Sequence, residues 1–343
     1  MSDEDVLFEQ RGALGLITLN RPKALNALTH AMCVRMKMQL DAWADDASVR
    51  TVAIRGEGDR AFCAGGDIRA LYDSGRARTS YAFDFYRDEY RLNATIKHFP
   101  KPYIAFLRGI VMGGGVGVSV HGSHRVADET AVFAMPETGI GLFPDVGGSH
   151  FLPRCPGRIG MYLALTGARL KTADMLYAGI ATQFVLADRT ARVVARLSDG
   201  ESPESAIGDV SAVGEAPLAE LRGSIDRTFA AERVEEILAR LAAPSDDWAR
   251  ATATTISAKS PTGSKLAFRQ IREGSTMTFD ECMRMEFRMV NRVIAGHDFY
   301  EGVRATIIDK DQKPQWKPAA LADVSDADID AYFAPLGGKE LVL

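Results

Sequence analysis

The chain has 343 residues, of which 46% are hydrophobic and 25% are charged, and its formal net charge is −4 at pH 7. This length allows one large domain or two smaller ones, and the composition is ordinary for a globular protein. The negative charge argues against a dedicated nucleic-acid binder, which would usually carry a basic domain, although it leaves room for a local basic patch that faces a phosphate.

The cysteines and the N-terminus restrict the kind of protein further. None of the four cysteines belongs to a CxxC pair, so neither a zinc site nor a disulfide framework is indicated. The N-terminal segment is acidic, lacks an apolar core and lacks the Arg- and Ser-rich composition of a transit peptide. No apolar stretch reaches the length of a transmembrane helix. We therefore expect a cytoplasmic protein that binds no metal, no nucleic acid and no membrane.

The first half of the chain alternates predicted strands with predicted helices. Thr29 is a suitable N-cap for a helix that extends to about Asp45, and further helices are predicted from about Asp67 and at 81–99. Short apolar runs bounded by turn residues predict strands at 6–9, 13–20, 51–56, 102–107, 125–128 and 130–134. This alternation indicates an α/β core.

After residue 153 the predicted elements are mostly helical. Helices are expected at 159–166 and 172–178, and each is followed by a glycine that can form a left-handed C-cap. A segment rich in Gly, Ser, Pro and Glu at 199–217 is predicted to be a flexible joint. We accordingly predict three regions, namely a ligand-binding core at 1–187, an appended helical region at 188–256 and a C-terminal helical region at 257–343.

Two glycine-rich turns, at 64–66 and 113–115, each join a predicted strand to a predicted helix. Glycine lets the backbone turn sharply and approach a ligand closely, and a helix N-terminus presents free N–H donors. No Lys-Ser/Thr pair follows these glycines, and Val118 stands where the third glycine of a dinucleotide fingerprint would be. Two roles stay open at this point: an anion cradle of N–H groups, or close helix–strand packing.

Two acidic residues, Glu137 and Asp145, follow in an apolar, glycine-rich segment. A carboxylate among apolar residues tends to have a raised pKa and to perform acid–base or nucleophilic chemistry. The alternatives are that Asp145 caps the following helix and that Glu137 pairs with an arginine. Together with the glycine turns, an acid and an oxyanion cradle would make a complete acyl-transfer site.

The chain resembles the crotonase (enoyl-CoA hydratase/isomerase) superfamily over about residues 13–185, with a further match at 298–316. This resemblance implies an α/β fold built as a spiral of ββα units with a helical C-terminal region. Within the superfamily, the chain most resembles the 3-hydroxyisobutyryl-CoA hydrolase subgroup. The motifs that carry the resemblance occur in the family's order: LNRPKALNAL, AFCAGGDI, RGIVMGGGVGVSVHGSHRVAD, FAMPETGIGLFPDVGG and FYEGVRATIIDKDQKPQW.

The resemblance also implies roles for individual residues. The backbone N–H groups of Ala64 and Gly114 match the oxyanion hole, and Glu137 and Asp145 match the catalytic acids. Glu89 matches a glutamate that contacts the substrate, as Gly114 and the two acids also would. The positions that match the CoA-binding segments are Lys23, Ala24, Leu25, Gly66, Asp67 and Ile68.

One departure from the family favours hydrolysis over hydration. The hydratases carry a second glutamate shortly after the glycine turn, where this chain has Gly117. We expect hydrolysis of a small 3-hydroxyacyl-CoA thioester, such as 3-hydroxyisobutyryl-CoA, to the free hydroxy acid and CoA. Glu137 would either activate water or attack directly, and the sequence leaves both routes open.

The remaining expectations concern cofactors, partners and alternatives. CoA enters as part of the substrate, and no metal or redox cofactor is expected. The resemblance implies a possible homo-oligomer, either a trimer or a hexamer. The alternative functions are an enoyl-CoA hydratase or isomerase and a non-catalytic acyl-CoA-binding protein.

Overall fold

The computed structural model describes residues 4–208, 213–242 and 246–343. Its strands are β1 (Val6–Arg11), β2 (Leu14–Leu19), β3 (Thr51–Gly56), β4 (Ala61–Cys63), β5 (Tyr103–Leu107), β6 (Ile110–Met112), β7 (His124–Ala127), β8 (Val132–Ala134), β9 (Leu170–Lys171) and β10 (Gln183–Phe184). Its α-helices are α1 (His30–Asp45), α2 (Ile68–Ala77), α3 (Tyr81–Lys97), α4 (Gly114–Gly117), α5 (Gly148–Phe151), α6 (Ile159–Thr166), α7 (Thr172–Tyr177), α8 (Thr190–Ser198), α9 (Pro203–Ile207), α10 (Pro217–Phe229), α11 (Val234–Ala242), α12 (Asp247–Ser257), α13 (Pro261–Gly274), α14 (Phe279–Val293), α15 (Asp298–Val303) and α16 (Asp326–Phe333).

The described residues form two compact units, each of which is discontinuous in sequence. Unit 1 comprises the described residues of Met1–Asp67, Asp88–Ala134 and Arg169–Ala219. Unit 2 comprises those of Ile68–Arg87, Met135–Ala168 and Glu220–Leu343. The sequence predicts domain boundaries after residues 187 and 256. These boundaries stay a prediction.

Unit 1 is built on two sheets. The larger sheet has the strand order β1-β2-β3-β5-β7-β10, in which only the β1–β2 pair is antiparallel. The smaller sheet has the order β4-β6-β8-β9, and only its β8–β9 pair is antiparallel. Every residue of β2 and of β5 is buried, as expected for strands that are covered on both faces.

Helix α8 covers part of the larger sheet. Val193, Val194 and Leu197 of α8 belong to one buried cluster with Leu16 of β2 and Ile104 of β5. The helix presents these residues at three- and four-residue spacing, so a single apolar stripe packs on the strands. A helix from the segment after residue 187 therefore belongs to the core of unit 1.

Two helices begin or end where local signals in the sequence predict it. Thr29 Oγ1 accepts a hydrogen bond from the Met32 N–H at 3.3 Å and caps α1. Gly167 ends α6 in the left-handed conformation, with φ of 65°. The segment predicted to be a flexible joint contains α9, and its residues 209–212 lie outside the described part of the chain.

Unit 2 contains the C-terminal helices. Helices α13 and α14 both contact the short helix α5, and α13 also contacts α6. Thr278 and Glu281 form a capping box that starts α14. Among the described residues, no helix combines the length and the apolar composition needed to cross a bilayer.

Candidate active site

The first glycine turn follows β4 and is tied to the segment that precedes α1. The Leu28 N–H donates to the Gly65 carbonyl at 2.8 Å, and the Asp67 N–H donates to the Leu28 carbonyl at 2.8 Å. The Ala64 N–H donates to the Leu25 carbonyl at 3.0 Å. The predicted role of Ala64 in an oxyanion hole is therefore corrected, because its N–H is already bonded within the fold.

Two other N–H groups of unit 1, those of Gly66 and Gly114, have no acceptor among the described residues. They are neighbours, since a Cβ atom built on Gly114 would lie 3.3 Å from Gly66 N. Gly114 is the first residue of α4, where N–H groups have no intrahelical partner, and Gly113 before it has φ of 49°. Two adjacent free donors can bind an oxyanion.

Glu89 of α3 lies directly against Gly114. A Cβ atom at position 114 would lie 2.5 Å from Glu89 Oε1 and 3.1 Å from Leu28 Cδ1. Glu89 is only 2% exposed, so its carboxylate has little room to move away. The structure thus brings together the predicted donor Gly114 and the predicted substrate-contacting Glu89, and only glycine fits between them.

The predicted CoA-binding loop adjoins the first glycine turn. Pro22–Ala24 forms a single 3-10 turn that ends at Leu25, which has φ of 51°. The Leu25 carbonyl accepts the Ala64 N–H, so the loop and the turn are one hydrogen-bonded structure. Lys23 and Ala24 are exposed at the surface of this loop.

The other predicted CoA-binding residues are divided between the units. Gly66 and Asp67 belong to unit 1, whereas Ile68 is the first residue of α2 in unit 2. Asp67 Oδ2 accepts a hydrogen bond from Arg21 Nη2 at 3.1 Å, so its charge is paired within unit 1.

In unit 2, Glu137 is a buried carboxylic acid with one free oxygen atom. It begins a 3-10 turn and is 5% exposed, and its Oε2 has no hydrogen-bond partner among the described residues. Burial raises the pKa of Glu137 well above its ordinary value, and Asp145 raises it further, while Lys259 opposes the shift. Glu137 forms no ion pair with an arginine among the described residues, so that alternative role is not observed. Such an acid is suited to proton transfer.

Asp145 stands at the start of a strained turn. It is 4% exposed, and the two residues that follow, Val146 and Gly147, have φ of 50° and 89°. A β-branched residue such as valine rarely adopts positive φ, and such outliers cluster at functional sites. The residue at the N-cap position of α5 is Gly147, so Asp145 is not the N-cap residue of this helix.

Glu286 of α14 is a buried acid that was not among the predicted site residues. Its Oε2 accepts the Gly147 N–H at 2.7 Å, and its Oε1 accepts the Ser149 N–H at 2.9 Å and the Ser149 hydroxyl. Burial and the charge of Asp145 raise the pKa of Glu286 to about 8 against the effect of these donors. The sequence held a signal for it, since an acid at this position lies on the apolar face of an amphipathic helix.

Lys259 was also missed, and here no local signal exists. A Cβ atom on Gly139 would lie 3.2 Å from Lys259 Nζ, so the ammonium group lies beside the turn that Glu137 begins. Burial lowers the pKa of Lys259, and Glu137 opposes that shift. Because Lys259 follows α12, only the tertiary fold brings it to this turn.

The two units therefore offer different chemistry. Unit 1 can bind negative charge through free backbone N–H groups, and unit 2 can take up or release a proton through Glu137. The described residues include no group of three or more side chains arranged to hold a metal ion. The expectation that the reaction needs no metal or redox cofactor stays a prediction.

Comparison with known proteins places the chain among acyl-CoA enzymes. A family model described as "Enoyl-CoA hydratase/isomerase" matches residues 14–333. The protein named "3-hydroxyisobutyryl-CoA hydrolase, mitochondrial" from Danio rerio is 49% identical over 99% of this chain and 92% of its own length.

Two solved structures share both the fold and substantial sequence identity. A carnitinyl-CoA dehydratase from Mycobacterium thermoresistibile superposes with a TM-score of 0.94 and 41% identity, covering 99% of each chain. An enoyl-CoA hydratase from Rhodobacter sphaeroides gives the same TM-score of 0.94 and 41% identity, covering 99% of this chain and 100% of its own. The predicted crotonase-like α/β fold with a helical C-terminal region is confirmed.

The predicted cytoplasmic location is wrong by the same comparison, because the Danio rerio relative is named mitochondrial, as are relatives from other vertebrates. The acidic N-terminal segment, from which the cytoplasmic location was inferred, is therefore a poor guide here. With a family model that matches residues 14–333 and a relative that is 49% identical over 99% of the chain, the protein belongs to the enoyl-CoA hydratase/isomerase family.

Proposed function

We propose that this protein hydrolyses the thioester of 3-hydroxyisobutyryl-CoA to the free hydroxy acid and CoA. A relative that matches nearly the whole of both chains carries the name of that activity. The single structural observation that carries the proposal is Glu137, a buried acid whose Oε2 is unpartnered among the described residues.

In the proposed reaction, the thioester oxygen accepts hydrogen bonds from the N–H groups of Gly66 and Gly114. Negative charge grows on this oxygen as the carbonyl carbon becomes tetrahedral, so both hydrogen bonds strengthen toward the transition state. Loss of one such donor typically raises the activation barrier by roughly 3 kcal/mol. Neither N–H group has an acceptor in the described part of the chain, which supports this role.

Glu137 supplies the base or the nucleophile. As a base, it takes a proton from the water that attacks the carbonyl carbon; the C–S bond then breaks, and the CoA thiolate leaves and is protonated. As a nucleophile, it forms a mixed anhydride that water later hydrolyses. Both routes remain part of the proposal, and the action of Glu137 on a thioester bound at Gly66 and Gly114 rests on the family resemblance.

Two further acids complete the proposed site. Asp145 orients the attacking water or the 3-hydroxyl of the substrate, and its charge helps to raise the pKa of Glu137. Glu89, which lies against Gly114, accepts a hydrogen bond from the substrate hydroxyl. Lys23 and the residues around it bind the CoA moiety.

Hydration or dehydration of an acyl-CoA is the second candidate. It is favoured by the two solved structures, which are described as a dehydratase and a hydratase. Addition of water across a double bond uses two carboxylates on one water molecule, and the position of the second is occupied here by Gly117, which is buried in α4. The missing carboxylate favours hydrolysis.

An acyl-CoA panel tests these functions against one another. The purified protein is assayed with 3-hydroxyisobutyryl-CoA, other small 3-hydroxyacyl-CoAs and a short 2-enoyl-CoA, and both free thiol and enoyl absorbance are followed. We expect thiol release that is fastest with 3-hydroxyisobutyryl-CoA and no loss of enoyl absorbance. Loss of enoyl absorbance without thiol release would assign a hydratase, and CoA binding without turnover would assign a non-catalytic binding protein.

We also propose that the protein forms a homo-oligomer, either a trimer or a hexamer. This proposal rests on the family resemblance alone. Light scattering coupled to size-exclusion chromatography would test it, and a monomer at micromolar concentration would contradict it.

A further inference from the structure

The turn that carries Asp145 is held on its C-terminal side by a buried carboxyl group. Glu286 is fully buried, and its two oxygens accept the N–H groups of Gly147 and Ser149 together with the Ser149 hydroxyl. These are the first N–H groups around α5, which the helix itself leaves without partners. One side chain of α14 therefore fixes the backbone directly after Asp145.

The same turn is held on its N-terminal side by a second buried side chain. Gln270 of α13 is fully buried, and its Nε2 donates to the Pro144 carbonyl at 2.5 Å. That carbonyl belongs to the peptide group that joins Pro144 to Asp145. The Gln270 Oε1 has no hydrogen-bond partner among the described residues, so the contribution of this amide is the single bond to the turn.

The backbone between these two attachments has an unfavourable conformation. Val146 has φ of 50°, which a β-branched residue avoids, and Gly147 continues at 89°. A strained segment persists only where the surrounding structure determines it, because it would otherwise relax to a more common conformation. Glu286 and Gln270 each bond to the backbone at one end of this segment.

We propose that Glu286 and Gln270 are positioning residues that hold Asp145 in place for the reaction. The proposal rests on the proposed hydrolysis, because Asp145 is a catalytic group only in that reaction. Neither residue contacts the thioester; each acts through the backbone next to Asp145. A displacement of about 1 Å at a reacting group can reduce a rate by about a hundredfold, so the loss of either attachment should reduce kcat.

The test uses Glu286→Gln and Gln270→Leu in the full-length protein. Gln270→Leu keeps most of the side-chain volume and removes the donor. Met289→Ala is the matched control, because it removes buried apolar volume from the same helix as Glu286. Three quantities are measured: kcat and KM for thiol release, the melting temperature, and amide hydrogen exchange in the peptide that covers residues 144–149.

We expect both turn variants to lower kcat by about tenfold to a hundredfold with little change in KM. Exchange of the amides at 145–149 should become at least about tenfold faster in Glu286→Gln, because one acceptor oxygen becomes an NH2 group and the other loses its negative charge. Met289→Ala should lower the melting temperature and leave kcat and local exchange near the wild-type values.

The outcomes separate this proposal from the proposed function. If the wild-type protein releases no thiol, the proposed hydrolysis is wrong. Even then, amide hydrogen exchange that is unchanged in Glu286→Gln would overturn the positioning role. If the wild type is active, an unchanged kcat despite faster exchange would overturn it, as would an equal loss of kcat in Met289→Ala. If Glu286→Gln does not fold, Ser149→Ala replaces it, because that change removes one donor to Glu286, and an unchanged kcat in both Ser149→Ala and Gln270→Leu would overturn the proposal.

Discussion

The two compact units contribute different groups to the proposed reaction. Unit 1 presents two backbone N–H groups, at Gly66 and Gly114, beside the buried carboxyl group of Glu89, and unit 2 presents the buried acids Glu137 and Glu286. A backbone donor is lost only when the chain is displaced, whereas a carboxyl group is lost by a change of side chain. The donors should therefore respond to added bulk, and the acids should respond to isosteric amides and to changes in nearby charge.

The largest effect is expected from Glu137→Gln, which removes the proposed base or nucleophile and preserves side-chain shape. Thiol release from 3-hydroxyisobutyryl-CoA should fall by about a thousandfold, within the range that positioned acid–base groups contribute. CoA affinity, measured by calorimetry, should stay near the wild-type value. Asp247→Asn, at an acid that is 99% exposed, is the control, and full activity in Glu137→Gln would remove the acid from the mechanism.

A smaller loss is expected from Gly114→Ala in unit 1. The new Cβ atom would meet Glu89 Oε1 at 2.5 Å, so either the carboxylate or the N–H group must shift. Loss of one oxyanion donor predicts a drop in kcat of about a hundredfold. Gly214→Ala is the matched control, because a Cβ atom there meets nothing within 4 Å. Equal rates in the two variants would argue against a donor role for Gly114.

The charge around Glu137 should show itself in the pH dependence of kcat. Lys259 lowers the pKa of Glu137, so Lys259→Met should raise that pKa further. If the reaction needs the carboxylate form, the acidic limb of the pH profile moves to higher pH, and the rate on that limb falls. Lys265→Met, which removes a lysine paired with Glu235 at 2.8 Å, should leave the limb in place. A shift toward lower pH would contradict the role of Lys259.

The smallest effect is expected at the CoA-binding loop. Lys23 is exposed, so its attraction for a CoA phosphate is screened by solvent and salt. Lys23→Met should raise KM for the acyl-CoA by about fivefold or less and leave kcat unchanged. The increase in KM should become smaller as salt is added. Lys37→Met, at a lysine paired with Asp41, is the control. A fall in kcat without a change in KM would place Lys23 outside CoA binding.

Local patterns in the sequence predicted the framework of the site well. The strand and helix periods indicate an α/β core, the glycines at the start of α4 mark the second turn, and Thr29 marks the start of α1. The segment around Glu137 and Asp145 was singled out because acids are uncommon among apolar residues and glycines. Each of these features is determined by residues that are close together in the sequence, so one sequence is enough to predict it.

Features that depend on distant neighbours were not predictable in the same way. The choice between Ala64 and Gly66 as a donor is decided by the Leu25 carbonyl, which accepts the Ala64 N–H. Lys259 and Gln270 reach their positions only through the packing of helices late in the chain. Glu286 lies between these cases, because an acid on the apolar face of α14 is visible in the sequence, but its partners are not.

A crystal structure of Glu137→Gln with intact 3-hydroxyisobutyryl-CoA tests the central claim most directly, namely that the protein hydrolyses this thioester with the N–H groups of Gly66 and Gly114 and the acid Glu137. The account predicts that the thioester oxygen lies about 3 Å from both Gly66 N and Gly114 N, with the residue at 137 facing the carbonyl carbon or a water molecule beside it. A thioester oxygen bound elsewhere, or a side chain at 137 remote from the thioester, would contradict it.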